Sequence, residues 1–258
     1  MSRSDVAIVA PSVFYPGTPV RGSERIRCDW IAPHIPAEKW AGEPLSNYRV
    51  VIFQKVPPAP KEGRIHILDM ADPIWRTEHD ELMRLMLSHV DAVTVPTQAL
   101  AAEFAGLYST PVYVVRDGHD LSVYPKSHGG TRMHVWFGYS DNFPDLCAAV
   151  PSSDLTVVSD KPVGYGKFIQ WSDDAWNAIA KCDIAILPHH RWKSNNKAVS
   201  AWAMGLAVAR DYQDIKWYRY PELKREDVKN HARIVASHTA EHSGRDMRAV
   251  INTLENQS

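Results

Sequence analysis

Two acidic residues stand where a parallel sheet would bind a ligand. Asp69 and Asp72 follow the apolar run Ile65–Leu68, which has the length and composition of a buried strand. Ligands bind beyond the carboxyl ends of parallel strands, so either carboxylate is placed to accept a proton from a substrate hydroxyl or to orient the substrate. The alternative is a helix cap before Pro73, because backbone amides favour a carboxylate there. We predict that Asp69 and Asp72 are catalytic residues, with capping as the alternative.

A second segment has the features of a phosphate site. It contains, in order, Lys193, Ser194, Asn195, Asn196 and Lys197. Because a helical apolar pattern starts at Val199, residues 194–196 fall at a helix N-terminus, where backbone amides and the helix dipole favour an anion. Lys193 or Lys197 would add a full positive charge. The alternative is that Ser194 or Asn195 only caps the helix and both lysines are solvated.

Two further loops contain candidate ligand contacts. Gly22 and Ser23 open a predicted helix after a loop rich in glycine and proline, and Arg25 and Arg27 follow as candidates for phosphate contact. A solvated helix face is the alternative for both arginines. Trp192 is a candidate to stack on a base or a sugar, or else a partly buried loop aromatic.

Adjacent histidines in the same loop as Trp192 invite a metal interpretation. His189 and His190 follow a predicted strand, at its ligand-binding edge. Zinc sites need three or four converging ligands, and no Cys, Asp or Glu accompanies this pair at a suitable spacing. We therefore predict no metal site and no resident cofactor.

The composition is typical of a folded globular protein, with no bias towards nucleic acid or membrane. Of 258 residues, 45% are hydrophobic and 23% are charged, and the net charge of −1 predicts no global attraction to polyanions. No apolar run approaches the roughly 20 residues that span a bilayer. Cys28, Cys147 and Cys182 lack the spacing of a disulfide framework. We expect a cytoplasmic protein without a transmembrane segment.

Apolar runs that alternate with helical patterns predict two similarly wound α/β lobes. The first series of strands is Val6–Ala10, Val50–Gln54, Ile65–Asp69, Ala92–Val95 and Val112–Val115. The second series is His134–Phe137, Leu155–Val158, Phe168–Trp171 and Ile184–Leu187. The polar, glycine-rich stretch 125–130 is typical of a linker. We predict an N-terminal lobe over 1–125, a C-terminal lobe over 131–258 that includes the terminal helix, and a hinge from Asp117-Gly118 to Gly130.

Amphipathic patterns predict the helices that cover these sheets. One spans residues 78–89, with Leu82, Leu85, Met86 and His89 on one face. Three more begin near Asn142, Ser172 and Ser194. The terminal helix carries Met247, Val250, Ile251 and Leu254 at helical spacing.

The order and spacing of several motifs resemble GT-B glycosyltransferases of the family 4 type (glycosyl transferases group 1). Residues 91–104 and 111–120 resemble the end of the first lobe in that family, where strand, helix, strand and a V-x-[ND]-G-x-D hinge follow one another. Further matches are Gly22–Arg27, Leu68–Trp75, Trp136–Asn142, and Lys193–Lys197 before Met204–Val208. Together they cover most of residues 5–210 in what would be a short variant of the architecture.

The resemblance implies an α/β fold of two Rossmann-like lobes facing across a cleft. It implies a hexosyltransferase-like enzyme that takes a sugar from a UDP- or GDP-linked nucleotide-sugar donor, with retention of configuration and without a metal. The N-terminal lobe would hold the acceptor. The donor would bind at Gly22, Ser23, Arg25, Gly138, Lys161, Lys193, Ser194, Asn195, Asn196 and Lys197. The acceptor is left open between a small molecule, a lipid-linked carrier, a protein and modified DNA, and the oligomeric state is not predicted.

The sequence departs from the family pattern at two glutamates that usually stand eight positions apart. Trp192 and Ser200 occupy those positions, and Ser140 stands near where an arginine of the family is expected. These losses leave a different class of function open, a non-catalytic GT-B-like partner subunit that binds a nucleotide or a sugar. A narrower enzymatic alternative is a glycosyltransferase that acts on a modified DNA base.

Overall fold

The computed structural model describes residues 4–14, 24–60, 64–76, 80–127, 133–172, 174–188, 196–218 and 221–257. The chain divides into two compact units. The first unit contains the described residues up to Asp120 and those from His238 onwards, and the second contains the described residues from Leu121 to Ser237. The described α-helices are α1 (Pro11–Phe14), α2 (Asp80–Leu87), α3 (Gln98–Ala105), α4 (Ala175–Ile179), α5 (Asn196–Met204), α6 (Tyr212–Trp217), α7 (Pro221–Ser237) and α8 (Ala240–Glu255).

The first unit is built on a fully parallel six-stranded sheet. Its strands are β1 (Val6–Val9), β2 (Ala37–Lys39), β3 (Val50–Gln54), β4 (Ile65–Asp69), β5 (Ala92–Val95) and β6 (Val112–Val114). Their order is β2-β1-β3-β4-β5-β6. The strands β1, β3, β4 and β5 are buried throughout, because both faces of the sheet are covered, and they are therefore continuous apolar runs. All five strands predicted for this lobe are confirmed, whereas β2 has a polar sequence that predicts no strand.

Helices cover the first sheet on both faces. On one face Met83 and Met86 of α2 and Leu100 and Phe104 of α3 are buried in a common core. Thr97 caps α3, because its hydroxyl accepts a hydrogen bond from the Leu100 amide at 3.2 Å. The predicted apolar face of α2 is wrong by one position, since Leu82 and Leu85 are 44% and 58% exposed.

The other face of the first sheet is covered by α8. Its Met247, Val250, Ile251 and Leu254 share a core with residues of β1, β3 and β4. Near its start, α8 also packs closely against two segments that connect the strands. A Cβ built on Gly244 of α8 would overlap the His34 side chain, and a Cβ built on Gly118 would lie 3.0 Å from the Cα of Ala240 in α8. The prediction that 131–258 forms the C-terminal lobe is therefore wrong for the terminal helix, whose apolar stripe packs in the first unit.

The second unit is built on a fully parallel five-stranded sheet. Its strands are β7 (His134–Phe137), β8 (Leu155–Ser159), β9 (Lys167–Gln170), β10 (Ile184–Ile186) and β11 (Ala207–Ala209), in the order β11-β10-β7-β8-β9. The four predicted strands are confirmed, and β6 and β7 lie in different sheets, as two lobes require. The helix predicted near Asn142 is wrong, because 3₁₀ turns at Ser140–Asn142 and Asp145–Ala149 flank Pro144, which has no amide proton to continue a helix.

The chain enters the second unit a few residues earlier than predicted. Lys126 donates to the Ala203 carbonyl at 2.6 Å, and the Ser127 amide donates to the Met204 carbonyl at 2.7 Å. The start of the predicted linker is thus bound to the end of α5, and the boundary lies at Asp120 and not at residue 125. None of the described helices combines the length and apolar character needed to cross a bilayer.

Candidate functional site

The strand order of the second unit identifies where a ligand would bind. Read from β9, the order is β9-β8-β7-β10-β11, so the winding direction reverses between β7 and β10. Parallel sheets bind ligands at such a switch point, outside the carboxyl ends of the strands, because the connections there diverge to opposite faces and leave a crevice. Gly138 directly follows β7. The next described helix after β10 is α5.

A lysine ammonium lies at this switch point. The Lys197 Nζ sits so close to Gly138 that a Cβ at that position would overlap it. The same Nζ lies 5.6 Å from the centroid of the Trp136 ring, within range of a cation–π contact. Lys197 belongs to the first turn of α5, which begins at Asn196, and the backbone amides of a first turn favour an anion. The switch point therefore contains the positive charge of Lys197 and the N-terminus of α5. Both lie beside Gly138, which has no side chain to block a ligand.

The loop after β8 lies beside the loop after β7. The Ser140 amide donates to the Asp160 carboxylate at 2.7 Å, which connects the two loops. Lys161 forms an ion pair with Asp141 at 2.9 Å, and hydrogen bonding and charge from Asp141 raise the pKa of the Lys161 ammonium. Both side chains are exposed, so Lys161 is available at the same edge of the sheet.

The position of one missing glutamate is occupied by a buried hydroxyl. Ser200 lies in the middle of α5, is 3% exposed, and donates to the Asn196 carbonyl at 3.0 Å. Its Oγ also lies 3.0 Å from the Tyr124 hydroxyl. Ser200 thus has a packing role at a position where the family resemblance leads one to expect a carboxylate. The predicted residues Gly22, Ser23, Lys193, Ser194 and Asn195 lie outside the described residues, as do His189, His190 and Trp192.

In the first unit, Asp69 belongs to a buried ion-pair network. The Arg27 guanidinium binds both oxygens of the Asp69 carboxylate and donates to Asp117 at 2.8 Å. Thr94 donates to Asp69 at 2.5 Å, and Arg27 also donates to the Val115 carbonyl at 2.9 Å. These carboxylates raise the pKa of Arg27 although burial alone would lower it. The arrangement favours a structural role for Asp69, and its catalytic role stays a prediction.

Asp72 has a different environment. It is about half exposed, with 48% of its side-chain surface accessible, and its carboxylate forms an ion pair with the Lys55 ammonium. Lys55 directly follows β3 and Asp72 follows β4, so the pair lies at the carboxyl edge of the sheet. The order β2-β1-β3-β4 reverses direction between β1 and β3, which makes the end of β3 part of the switch point of the first unit. Asp72 therefore stays a candidate catalytic residue on geometric grounds.

Two residues at the end of β3 were not predicted as functional. Gln54 is fully buried, in register with Asp69, and neither its amide nitrogen nor its amide oxygen has a hydrogen-bond partner. Lys55 has a left-handed backbone conformation with φ of 53°, which is uncommon for a residue with a side chain. Sequence offered one signal, since polar Gln54-Lys55 ends an apolar strand before the Pro57-Pro58 pair, but no pattern predicts a positive φ at lysine.

The two predicted arginines near the first strand differ in their surroundings. Arg25 and Arg27 lie in a π-helical turn, Arg25–Asp29. The Arg25 guanidinium lies 5.5 Å from the centroid of the Trp30 ring, and its role towards a nucleotide stays a prediction. Arg27 is 3% exposed and paired with two carboxylates, so the prediction that Arg27 contacts phosphate is wrong. Within the described ranges, no group of three or more His, Cys, Asp or Glu is placed to hold a metal ion.

Comparisons with known proteins match the fold and not the sequence. No family model matches the chain, and no curated protein matches its sequence. Among solved structures, HepE from Anabaena in complex with UDP and glucose superimposes with a TM-score of 0.69 at 12% identity, covering 96% of this chain and 99% of that one. Sucrose-phosphate synthase from Thermosynechococcus elongatus gives a TM-score of 0.64 at 11% identity over 82% of this chain and 75% of that one.

The same fold also occurs in a protein named for another reaction. A protein described as a UDP-N-acetylglucosamine 2-epimerase, from Listeria monocytogenes, gives a TM-score of 0.55 at 8% identity, covering 98% of this chain and 97% of that one. At such identities the likeness establishes the fold alone. The chain has the α/β fold of GT-B glycosyltransferases, with two Rossmann-like lobes, and its chemistry must be argued from its own residues.

Proposed function

We propose that this protein is a glycosyltransferase whose second unit binds the diphosphate of a nucleotide-sugar donor. The observation that carries the proposal is the Lys197 ammonium, held against Gly138 at the topological switch point and in the first turn of α5. A diphosphate needs positive charge and amide donors in a place that its oxygens can approach, and this position supplies them. Lys161, at the same edge, is a second candidate cation. UDP-glucose, which HepE binds, is the first donor to test.

The proposed reaction transfers a hexosyl group to a hydroxyl. The acceptor oxygen forms a bond to the anomeric carbon of the sugar while the bond from that carbon to the diphosphate oxygen breaks. The diphosphate leaves with the electron pair and takes up the hydroxyl proton, and the sugar keeps its configuration. Lys197 and the α5 amides stabilise the negative charge that develops on the diphosphate, so the proposed reaction requires no metal ion. Asp72 of the first unit accepts a hydrogen bond from another hydroxyl of the acceptor and so orients the acceptor without taking the reacting proton.

Nucleotide binding to charge variants tests this assignment. In the parent, saturation with UDP or GDP at about 100 times the dissociation constant should stabilise the protein by about 2.7 kcal/mol, seen as a thermal shift. Replacing Lys197 by Met keeps the aliphatic stem and removes the charge, so nucleotide affinity should fall by about 1–3 kcal/mol. Lys216→Met, on the exposed surface of α6, removes one charge from the same unit and serves as the control.

Equal nucleotide affinity in Lys197→Met and Lys216→Met would place the phosphate site elsewhere. Activity measured with and without EDTA tests metal independence, and the anomeric configuration of the product, read by NMR, tests retention.

The buried Ser200 favours a second candidate function, a GT-B-like subunit that binds a nucleotide sugar without turning it over. A carboxylate is absent where the resemblance implies one, and Ser200 is engaged in packing inside its own unit. Incubation of the purified protein with UDP-glucose separates the two functions, because a transferase releases UDP through slow hydrolysis even when its acceptor is lacking. Tight binding of the donor without any UDP release would support the subunit.

We also propose that the protein works in the cytoplasm. Cys28, Cys147 and Cys182 are all buried free thiols, as expected in a reducing compartment. Burial raises the pKa of Cys147 to about 12 and that of Cys182 to about 11, so neither thiol is reactive near neutral pH. Fractionation of cells that express the protein, followed by immunoblotting, tests this location.

A further inference from the structure

The end of β3 in the first unit has an unusual backbone that no helix or turn requires. Lys55 adopts φ of 53°, and its amide still donates to the Asp69 carbonyl at 3.0 Å, so the sheet continues to hold this residue while its backbone turns. Among described residues with a side chain, Lys55 alone has a positive φ. Such conformations are sustained by their surroundings and concentrate at functional sites.

The side chain of this left-handed residue pairs with Asp72. The ammonium and the carboxylate form an ion pair, with the lysine side chain 19% exposed and the aspartate side chain 48% exposed. The lysine stem is thus largely buried, whereas the carboxylate faces solvent. A buried stem restricts the rotamers of the lysine, so the ammonium holds Asp72 in one place more firmly than a fully solvated lysine would.

The position of the pair matches a ligand site. Lys55 follows the strand at the switch point of the first unit, where parallel sheets bind their ligands. The adjacent Gln54 has an amide that is fully buried and lacks hydrogen-bond partners. Buried polar groups are nearly always satisfied, so this exception directs attention to the same strand end.

We propose that Lys55 is a positioning residue that holds Asp72 for a hydroxyl of a neutral, sugar-like acceptor. The inference rests on the proposed transferase function and extends it by naming the acceptor class. A hydroxyl can donate to Asp72 and accept from Lys55 at the same time, which makes the pair a matched partner for it. The charges of the pair compensate each other, so a phosphorylated or carboxylated acceptor would gain no net attraction, and it would meet Asp72, the more exposed partner, first.

Ligand-observed NMR with neutral sugars tests the acceptor class. The probes are glucose, galactose and N-acetylglucosamine, with glucose 6-phosphate as the anionic comparison, each added to the full chain in the presence of UDP. We expect saturation transfer to at least one neutral sugar and a several-fold weaker signal for glucose 6-phosphate. Absence of binding by all three neutral sugars, or preferential binding of glucose 6-phosphate, would overturn the proposal.

Variants of Lys55 separate positioning from a purely structural role. Lys55→Asn and Lys55→Gly both accept a left-handed backbone and lose the ammonium, so the protein should keep its melting temperature while sugar binding falls about tenfold or more. Lys55→Arg restores a cation and should recover part of the binding. Sugar binding that is unchanged in Lys55→Asn would show that the lysine serves the fold only.

A nucleotide titration of the same variants keeps the two proposals apart. UDP binds through the second unit in the proposed function, so its thermal shift should be the same in the parent and in all Lys55 variants. Loss of neutral-sugar binding with an intact UDP shift supports the role of Lys55. A parent that binds sugar but no nucleotide would contradict the proposed function and leave the sugar site standing.

Discussion

The buried Arg27 guanidinium is paired with two carboxylates, those of Asp69 and Asp117. Replacing Asp69 by Asn removes one of these two negative charges. Removing one partner of a buried ion pair costs about 3–5 kcal/mol, because the remaining charge stays desolvated. We expect Asp69→Asn to lower the free energy of unfolding by that amount, as measured by urea denaturation. An unchanged stability together with lost turnover would instead identify Asp69 as catalytic.

Asp72→Asn is the matched comparison at the residue scale. Its ion pair with Lys55 is half exposed, so the loss should cost less than about 1 kcal/mol of stability. Its turnover should fall by about 100-fold, because a misplaced acceptor hydroxyl slows the transfer step, while UDP affinity stays constant. Near-normal turnover in Asp72→Asn would contradict the assignment of this residue to the acceptor.

At the scale of elements, the start of α8 is fixed to the segment that follows β6. The His119 amide donates to the His238 carbonyl at 2.8 Å, and the Ala240 amide donates to the His119 carbonyl at 2.9 Å. The His119 side chain is 1% exposed, with its ring 6.0 Å from that of Trp30. Burial lowers the pKa of His119 to about 4, an effect that outweighs the opposing charge of Asp117, while His238 and Arg25 add to it.

This lowered pKa predicts a dependence of stability on pH. The unfolded chain protonates His119 below its ordinary pKa of 6.5, whereas the folded chain keeps it neutral down to about pH 4. The stabilising contribution is therefore complete above pH 6.5 and is lost as the pH falls towards 4, by about 3 kcal/mol in total. His119→Gln cannot titrate, so its free energy of unfolding should fall less than that of the parent between pH 7 and pH 4. Parallel curves for the two proteins would refute the assignment.

At the scale of the whole molecule, the sequence predicts where the strands and helices lie better than it predicts which elements pack against one another. Continuous apolar runs identify the strands because both faces of a parallel sheet are buried. The stripe of Met247, Val250, Ile251 and Leu254 predicts a buried helix face, but no local pattern specifies which sheet covers it. The burial of Arg27 could not be predicted for a similar reason. A charged residue in a helical pattern indicates a solvated face unless its buried partners are known.

The candidate sites show the same limit. The end of a predicted strand led to Asp72, the start of a helical pattern led to Lys197, and the family resemblance led to Gly138. Lys55 was missed, since its role depends on a left-handed backbone that lysine rarely adopts. Gly118 was predicted as a hinge for its flexibility, yet its φ is not positive, and a side chain there would meet Ile31 and Ser243. Hinge motion at 117–130 stays a prediction.

The packing of α8 leads to a prediction about how the two units depend on the chain. A protein that ends at Ser237 lacks the helix that supplies Met247, Val250, Ile251 and Leu254 to one face of the first sheet. Uncovering that face exposes an apolar surface whose burial stabilises the sheet by roughly 25 cal/mol per Å². We expect the amides of β1, β3 and β4 to lose protection in hydrogen exchange, whereas those of β7, β8 and β10 keep it, because the second unit ends at Ser237 and remains complete.

A chain that ends at Glu255 is the control, since it keeps all of α8 and should retain protection in both sheets. If the 1–237 protein lost protection equally in both sheets, the two units would unfold as one cooperative body. If it lost protection in neither, the apolar stripe of α8 would be dispensable. Selective loss in the first sheet would show that the C-terminal helix belongs to the folding unit formed by the N-terminal residues.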